Sequence, residues 1–224
     1  MKKTVFAASL FVLASAGAQA DIAFCLGNGE CGGSGDVENV LLRKGTSGLT
    51  VYGDTNQTQT EVFFTTAQTN GGAALSIPSG GQARIEGVGG EQITDLTFGA
   101  TNPTTGFTKT VFNVDTLADT TVAINAKDQF GTSFLFDLDA TGSGQNFVTV
   151  YTLLDQWIDT ITLTGDGIAA IEDLQQVRVG QGTFPTCPDC EPNPTSEVPI
   201  PGAAFLFGPA LVGLATIGRR RRAE

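Results

Sequence analysis

Apolar residues in the middle of this chain recur at every second position in short runs, and Gly, Asn, Asp, Ser and Thr fill the stretches between the runs. A period of two is typical of a β-strand that buries one face. In Thr120–Ala126, for example, Val122 and Ile124 share one face. Thr121 and Asn125 share the other. The strands that this pattern predicts are Asn39–Leu42, Leu49–Tyr52, Glu61–Thr66, Ala74–Ile77, Gln82–Glu86, Thr94–Phe98, Thr108–Val114, Thr120–Ala126, Ser133–Leu138, Gln145–Leu153, Trp157–Thr164 and Leu174–Val179.

Short strands with turns at this spacing predict an all-β domain, and we expect a two-sheet β-sandwich of the jelly-roll type. One segment, Ile168–Val177, has a second interpretation as a short amphipathic helix, because its apolar residues are spaced three apart. The alternation of Gln176–Val179 favours a strand there instead. The 164 residues from Asp21 to Phe184 are enough for one well-buried domain.

The first 20 residues have the three parts of a secretory signal peptide. Met1-Lys2-Lys3 is basic, Val5–Leu13 is an apolar core, and the small residues Ala18 and Ala20 mark a cleavage site. We predict cleavage after Ala20. The apolar core is too short and wrongly flanked for a spanning helix, which disfavours the alternative of an N-terminal anchor.

The C-terminal part of the chain reads as a linker followed by an apolar span. Six of the nine prolines fall in residues 185–201, which predicts a stiff, extended linker at 185–197 with about 3.1 Å per residue. Residues 202–218 carry no charge and predict a transmembrane helix at the lower limit of about 17–25 residues. The arginines that follow place this end in the cytoplasm by the positive-inside rule. Hydropathy alone is equally consistent with a permanent anchor.

Three features occur in a fixed order in residues 198–224: a short proline motif, one apolar helix and a terminal arginine cluster. The motif is Val198, Pro199, Ile200, Pro201 and Gly202, and the cluster is Arg219, Arg220, Arg221 and Arg222. This tail resembles the PEP-CTERM class of bacterial sorting signals, and more narrowly its VPLPA-type variant, which usually has Leu at the place of Ile200 and Ala at the place of Gly202. The resemblance implies a Gram-negative source, recognition by an exosortase-type membrane enzyme, removal of the tail, and release to the cell surface or an exopolysaccharide matrix.

The charge balance of the chain argues against nucleic acid as a partner. Without Lys2, Lys3, the four terminal arginines and Glu224, the chain retains 6 positive and 22 negative side chains, a net charge of −16. Such a body repels the phosphate backbone and anionic lipid. Acidity also suits a protein with Ca²⁺ among its counter-ions, although a solvated acidic surface has the same composition.

Four cysteines form two close pairs, Cys25 with Cys31 and Cys187 with Cys190. In an exported protein these residues are disulfide candidates. Their spacing leaves three connectivities open, and cross-pairing would close a longer loop than local pairing. A Cys₄ zinc site is a weaker alternative, because five residues between the first two cysteines fit knuckle spacing poorly. A redox role for Cys187–Cys190 is weaker still, because prolines surround that pair.

The segment from Asp137 to Gly142 begins like a calcium-binding EF-hand loop, with oxygen-bearing residues at positions 1, 3 and 5 and Gly at position 6. Position 12 is Val148 rather than Glu, and a strand rather than a helix precedes the segment, so an EF-hand is excluded. Asp137 and Asp139 remain candidate ligands of a looser calcium site at a strand–turn edge. The alternative is an ordinary turn in which Asp and Gly satisfy the local backbone. We predict no other cofactor.

No catalytic residue is predicted. The chain has no His, which excludes a Ser-His-Asp triad, a Cys-His pair and His-ligated zinc. Two carboxylates could still hydrolyse a glycosidic bond, but nothing in the sequence selects a pair. Tyr52, Tyr151 and Trp157 suit either a sugar-stacking platform or core packing, and the second is the commoner role.

Together these features predict an exported, acidic, all-β protein of the cell surface or exopolysaccharide matrix, with a structural or adhesive role rather than an enzymatic one. Its precursor is expected in the inner membrane, with an exosortase-type enzyme as partner and exopolysaccharide as a second partner. A calcium-assisted carbohydrate-binding module is the first alternative. A glycoside hydrolase or lyase on a jelly-roll scaffold is the second.

Overall fold

The computed structural model describes residues 22–27, 31, 36–67, 74–81, 83–142, 144–153, 156–165 and 171–183. All of them belong to the first of the two units into which the chain divides, Met1–Phe184. The predicted signal peptide, linker, sorting motif and transmembrane helix, together with the arginine cluster, lie outside the described residues. Among the residues that are described, no helix is long and apolar enough to cross a membrane.

The described part of the chain folds almost entirely into β-strands, and its one helical element is a 3₁₀ turn at Val88–Gly90. The strands are β1 (Ile22–Leu26), β2 (Glu38–Leu42), β3 (Thr46–Gly48), β4 (Thr50–Thr55), β5 (Glu61–Thr65), β6 (Leu75–Ile77), β7 (Arg84–Gly87), β8 (Asp95–Ala100), β9 (Thr105–Thr116), β10 (Thr120–Asp128), β11 (Ser133–Ala140), β12 (Asn146–Thr152), β13 (Ile158–Gly165) and β14 (Ile171–Thr183).

Hydrogen bonding joins seven of these strands into a closed ring. The order is β9, β13, β8, β5, β4, β2 and β14, and β14 pairs again with β9. All of these pairs are antiparallel. The other strands extend the ring: β12 and β1 continue from β9, β10 and β11 from β13, and β7, β6 and β3 from β14. Closure gives each strand of the ring a partner on both sides, although β13 meets β9 at a single residue pair and β14 meets β2 at two.

The ladder between β9 and β14 closes the ring. It runs from the pair Thr116–Ile171 to the pair Thr105–Thr183 and shifts register three times. One shift lies between Gln175 and Arg178. At this point the other edge of β14 changes its partner from β7 to β2. A bulge increases the local twist of a strand, and this twist lets one long strand serve two partners in succession.

The core is built from the inward faces of the strands. Phe64 on β5, Phe98 on β8 and Phe112 on β9 are fully buried. The rings of Phe64 and Phe98 stack with centroids 5.6 Å apart, and Phe98 meets Phe112 edge to face at 5.5 Å. These contacts tie β9 to β5 and β8 through the interior as well as through the sheet. Burying an aromatic or aliphatic side chain of this size contributes roughly 1.5–3 kcal/mol.

The all-β prediction is confirmed, and each predicted strand overlaps an observed one. The alternation in β10 is as predicted, since Val122 and Ile124 are fully buried and Thr121 is exposed. The strand interpretation of the ambiguous segment is correct, because Ile171–Thr183 is β14. Two strands were not predicted: β1, which begins two residues after the predicted cleavage position at Ala20, and the three-residue β3. The two-sheet jelly-roll arrangement stays a prediction, because the strand pairing describes one continuous, closed sheet.

Trp157, the only tryptophan in the chain, lies flat against Gly182 of β14. A Cβ atom at Gly182 would overlap the ring atoms Cζ3 and Cη2 of Trp157. Glycine at position 182 is therefore required to leave room for the Trp157 ring. The ring covers backbone that would otherwise lack side-chain cover, as aromatic residues often do over sheet glycines.

We expect Gly182→Ala to displace the indole and to lower the free energy of unfolding by about 1–3 kcal/mol, because an added methyl group overpacks the contact. Urea denaturation followed by Trp157 fluorescence measures both effects. Gly80→Ala is the matched control, since a Cβ there meets no atom within 4 Å, and we expect a change within about 0.5 kcal/mol. Equal stability and an unchanged emission spectrum for Gly182→Ala would contradict this packing.

Candidate functional site

Cys25 on β1 and Cys31 form a disulfide, with their Cα atoms 6.6 Å apart. The sequence left three disulfide connectivities open, and the structure shows local pairing of Cys25 with Cys31. Cross-pairing and a Cys₄ zinc site are both excluded for Cys25 and Cys31, because their thiols are already used. Cys187 and Cys190 lie outside the described residues.

The predicted calcium ligands Asp137 and Asp139 are exposed on one side of the edge strand β11. The hydroxyl of Thr121 donates to Asp139 Oδ1 at 3.2 Å. Within the described residues, no group of three or more His, Cys, Asp or Glu side chains is placed to hold an ion. Asp139 does line an open groove of about 240 Å³ together with Gln145 and Phe147.

The three aromatic residues considered for a sugar platform are spread over the fold. Tyr52 is on β4, where the guanidinium of Arg43 lies 5.6 Å from its ring centroid. Tyr151 is on β12, and three strands, β9, β14 and β2, lie between β12 and the Tyr52 strand by the shorter way around the ring. Trp157 covers Gly182, as described above. The structure therefore does not assemble the three into one platform.

A site that the sequence did not predict lies on the outer face of β7, β14 and β9. Each strand contributes one residue to each of two adjacent rows of directly paired side chains. Leu174, which lies between the rows on β14, is fully buried in the core, so the rows face the other way. The rows are Glu86, Asp173 and Asp115, and Arg84, Gln175 and Asn113.

Gln175 links the two aspartates of this cluster. Its Nε2 donates to Asp115 Oδ2 at 2.9 Å, to Asp173 Oδ1 at 2.9 Å and to Asp173 Oδ2 at 3.1 Å. Asp115 Oδ2 and Asp173 Oδ1 therefore lie no more than twice 2.9 Å apart. Both hydrogens of the amide are directed to carboxylates.

Burial dominates the electrostatics of Asp173, whose side chain is 10% exposed. The pKa of Asp173 is raised to about 6, mainly by burial and in smaller part by the neighbouring Asp115 and Glu172 carboxylates. The hydrogen bond from Gln175 and the charge of Arg84 act in the opposite direction. At neutral pH the carboxylate is thus held in an environment that penalises its charge.

The rest of the cluster is only partly paired. Burial raises the pKa of Asp115, and a hydrogen bond with Asn113 opposes the rise. Asn113 is 2% exposed, and its Oδ1 has no hydrogen-bond donor. Arg84 Nε lies 2.5 Å from Glu86 Oε2 and 3.7 Å from Asp173 Oδ2, so its main partner is Glu86. Chemically, this arrangement brings several oxygen acceptors together around one amide donor and leaves Asn113 Oδ1 without a donor.

Glu38 at the start of β2 provides a contrast. It accepts hydrogen bonds from the backbone N–H groups of Gln57 and Thr58 at 2.7 and 2.9 Å, from the Thr58 hydroxyl at 2.6 Å and from Gln181 Nε2 at 3.1 Å. Burial raises the pKa of Glu38, but the hydrogen bonds from Thr58 and Gln57 outweigh it and hold the pKa below its ordinary value. This carboxylate is satisfied, and it anchors the turn after β4 to β14.

The cluster around Asp173 had no signature that sequence inspection could use. Asp115 and Asp173 are far apart in the chain and stand in ordinary strand contexts. Only the register of the closing ladder brings them together. The one available signal was the run of polar residues in β14, which a strand with one buried and one solvated face also explains.

A scan of the sequence against protein-family models gave no match, and searches of curated proteins and of solved structures gave none either.

We expect Asp173→Asn to stabilise the protein at pH 8 in metal-free buffer. The folded-state pKa of about 6 lies above the ordinary 3.8, so wild-type stability falls as pH rises between these values. The Asn side chain carries no charge, so the variant does not lose this stability. Its free energy of unfolding should exceed that of wild type by about 1–3 kcal/mol at pH 8 and differ little at pH 3.5. Urea denaturation at both pH values measures it. Glu91→Gln, at an exposed carboxylate, is the control. If Asp173→Asn and wild type differed in stability by the same amount at both pH values, the expectation would be refuted.

Proposed function

We propose that this chain is an exported protein of the bacterial cell surface or exopolysaccharide matrix, with a structural or adhesive role, delivered by a sorting tail. The observation that carries the proposal is the pairing of two signals around one β-domain. A secretory leader precedes it, and a proline motif, apolar span and arginine cluster follow it. The proposal assigns no catalytic step to the chain.

Two features of the β-domain support this proposal. The Cys25–Cys31 disulfide suits an oxidising compartment, where such bonds form and persist. The closed ring gives each of its strands a partner on both sides, which limits edge-to-edge aggregation at the high local concentrations of a matrix. We further propose that the ring is flattened into two facing sheets of jelly-roll type. The stacking of Phe24 on β1 with Phe136 on β11, with centroids 5.3 Å apart, supports such facing layers.

The intact mass of the native protein, measured in membrane and extracellular fractions, tests the sorting tail. We expect an extracellular or surface species that begins at Asp21 and ends near Val198–Gly202. A double substitution, Pro199→Ala with Pro201→Ala, should shift the protein to an unprocessed membrane species. Pro192→Ala with Pro194→Ala in the linker is the matched control and should leave processing unchanged. A wild-type membrane species that always retains the terminal arginines would show a permanent anchor instead.

Carbohydrate binding is a second candidate function, favoured by the groove beside Asp139. The groove offers a carboxylate, the amide of Gln145 and the ring of Phe147, which are groups that hydrogen-bond and stack on sugars. We expect Asp139→Asn and Phe147→Ala each to reduce retention on the organism's own exopolysaccharide about tenfold if the groove binds it. Glu91→Gln is the control. Equal retention of all four proteins, or no retention of the wild type, would remove this candidate.

A further inference from the structure

We propose that Asp115, Asp173, Gln175 and Asn113 form a binding site for a hard divalent cation of the Ca²⁺ class on the outer face of the β9–β14 ladder. The site is distinct from Asp137 and Asp139 on β11. It depends neither on the sorting tail nor on the proposed surface role.

The geometry around Gln175 provides the first argument. Its terminal amide atom already touches three carboxylate oxygens from two aspartates, at 2.9, 2.9 and 3.1 Å. The oxygen and nitrogen of an amide are nearly the same size, and a half-turn of the group exchanges them. With Oε1 turned inward, Gln175 adds a fourth oxygen to this set. In that orientation the four oxygens repel each other unless a cation lies among them, so the cation would take over the bridging that the amide hydrogens provide without it.

Asn113 provides an independent argument. It is 2% exposed, and its Oδ1 is a buried acceptor with no donor. Its register partner is Gln175, and its amide hydrogen-bonds to Asp115, so a half-turn of that amide places Oδ1 beside the Asp115 carboxylate. Buried acceptors without a donor are rare in native proteins and call for a specific explanation. A cation supplies one, because it would coordinate Oδ1 as a fifth protein oxygen.

The donor set indicates which cation fits. All the donors are oxygens of carboxylates and amides, which are ligands of Ca²⁺ and Mg²⁺ rather than of softer metals. Ca²⁺ accepts six to eight oxygens in irregular geometry, whereas Mg²⁺ requires a near-ideal octahedron and releases its waters reluctantly. Five protein oxygens from two adjacent strands, completed by water, suit the larger ion. Two carboxylates imply modest affinity, on the order of 10⁻⁴–10⁻³ M as in extracellular modules.

Arg84 does not neutralise the charge of the two aspartates. Its Nε lies 3.7 Å from Asp173 Oδ2, and its close partner is Glu86 on its own strand. The charge of the aspartate pair is therefore only partly balanced, and a cation between the strands would complete the balance. Because Asp115 lies on β9 and Asp173 on β14, a bound ion would also clamp the two strands that close the ring.

Calcium titration of the full-length protein, purified in mild detergent, tests the proposal by calorimetry and by thermal unfolding. At ten times the dissociation constant, we expect Ca²⁺ to raise the unfolding temperature by about 3–6 °C, and Mg²⁺ to raise it less. Asp115→Asn and Asp173→Asn should each weaken Ca²⁺ binding about tenfold or more. Because Asp173→Asn is expected to stabilise the metal-free protein, its loss of binding would not reflect misfolding.

Gln175→Glu gives a test in the opposite direction. A third carboxylate should lower the unfolding temperature of the variant in chelator, because the three negative charges repel one another. Ca²⁺ should then restore the unfolding temperature, and it should bind the variant more tightly than it binds wild type. The double variant Asp137→Asn with Asp139→Asn should bind Ca²⁺ as wild type does. The proposal is overturned if wild type shows no calorimetric or thermal response to millimolar Ca²⁺. It is equally overturned if only the Asp137 and Asp139 double variant loses the response.

Discussion

The structure depends on the pairing of β14 with β9. This ladder joins the last described strand to a strand in the middle of the chain and thereby closes seven strands into a ring. Pairing of strands so distant in sequence requires the chain entropy of a long loop to be overcome before its contacts form. The register shifts along the ladder then set where β14 changes its partner from β7 to β2. The positions of three extension strands, β7, β6 and β3, follow from this one pairing.

The same ladder carries buried polar groups whose charge or hydrogen-bonding capacity is not fully satisfied. Asp173 is buried with a raised pKa, and Asn113 keeps an unpartnered oxygen, both on the outer face of the strands that close the ring. Glu38 shows that this chain can satisfy a buried carboxylate fully when a turn supplies backbone donors. A strand face has no such donors, because its backbone N–H groups are already committed to the ladder. Carboxylates on that face must therefore accept hydrogen bonds from side chains, or be neutralised by a proton or a cation.

Local patterns were sufficient for most strands but not for all. In β10 and β13 the apolar residues alternate, so both the strand and its buried face could be read directly. β1 was missed because its sequence, Ile22–Leu26, is mostly apolar like the predicted leader before it and has little alternation. β3 has only three residues, Thr46–Gly48, and exists because β6 pairs with it. The Asp115–Asp173 cluster could not be found, since it is a property of register rather than of either strand.

By itself, the sequence determined the class of the fold and the acidic composition of the body, and it led us to expect an export leader and a sorting tail. These follow from composition and short-range order, which water and the membrane act on directly. The tertiary structure alone decided that the strands close into a ring, that Cys25 pairs with Cys31, and that Asp115 and Asp173 share the amide of Gln175. The spacing of Cys25 and Cys31 had left their pairing open, and the other two are contacts between residues whose local sequences carry no information about one another. They are selected by the packing of the whole domain, in which one residue of register moves every side chain to the opposite face.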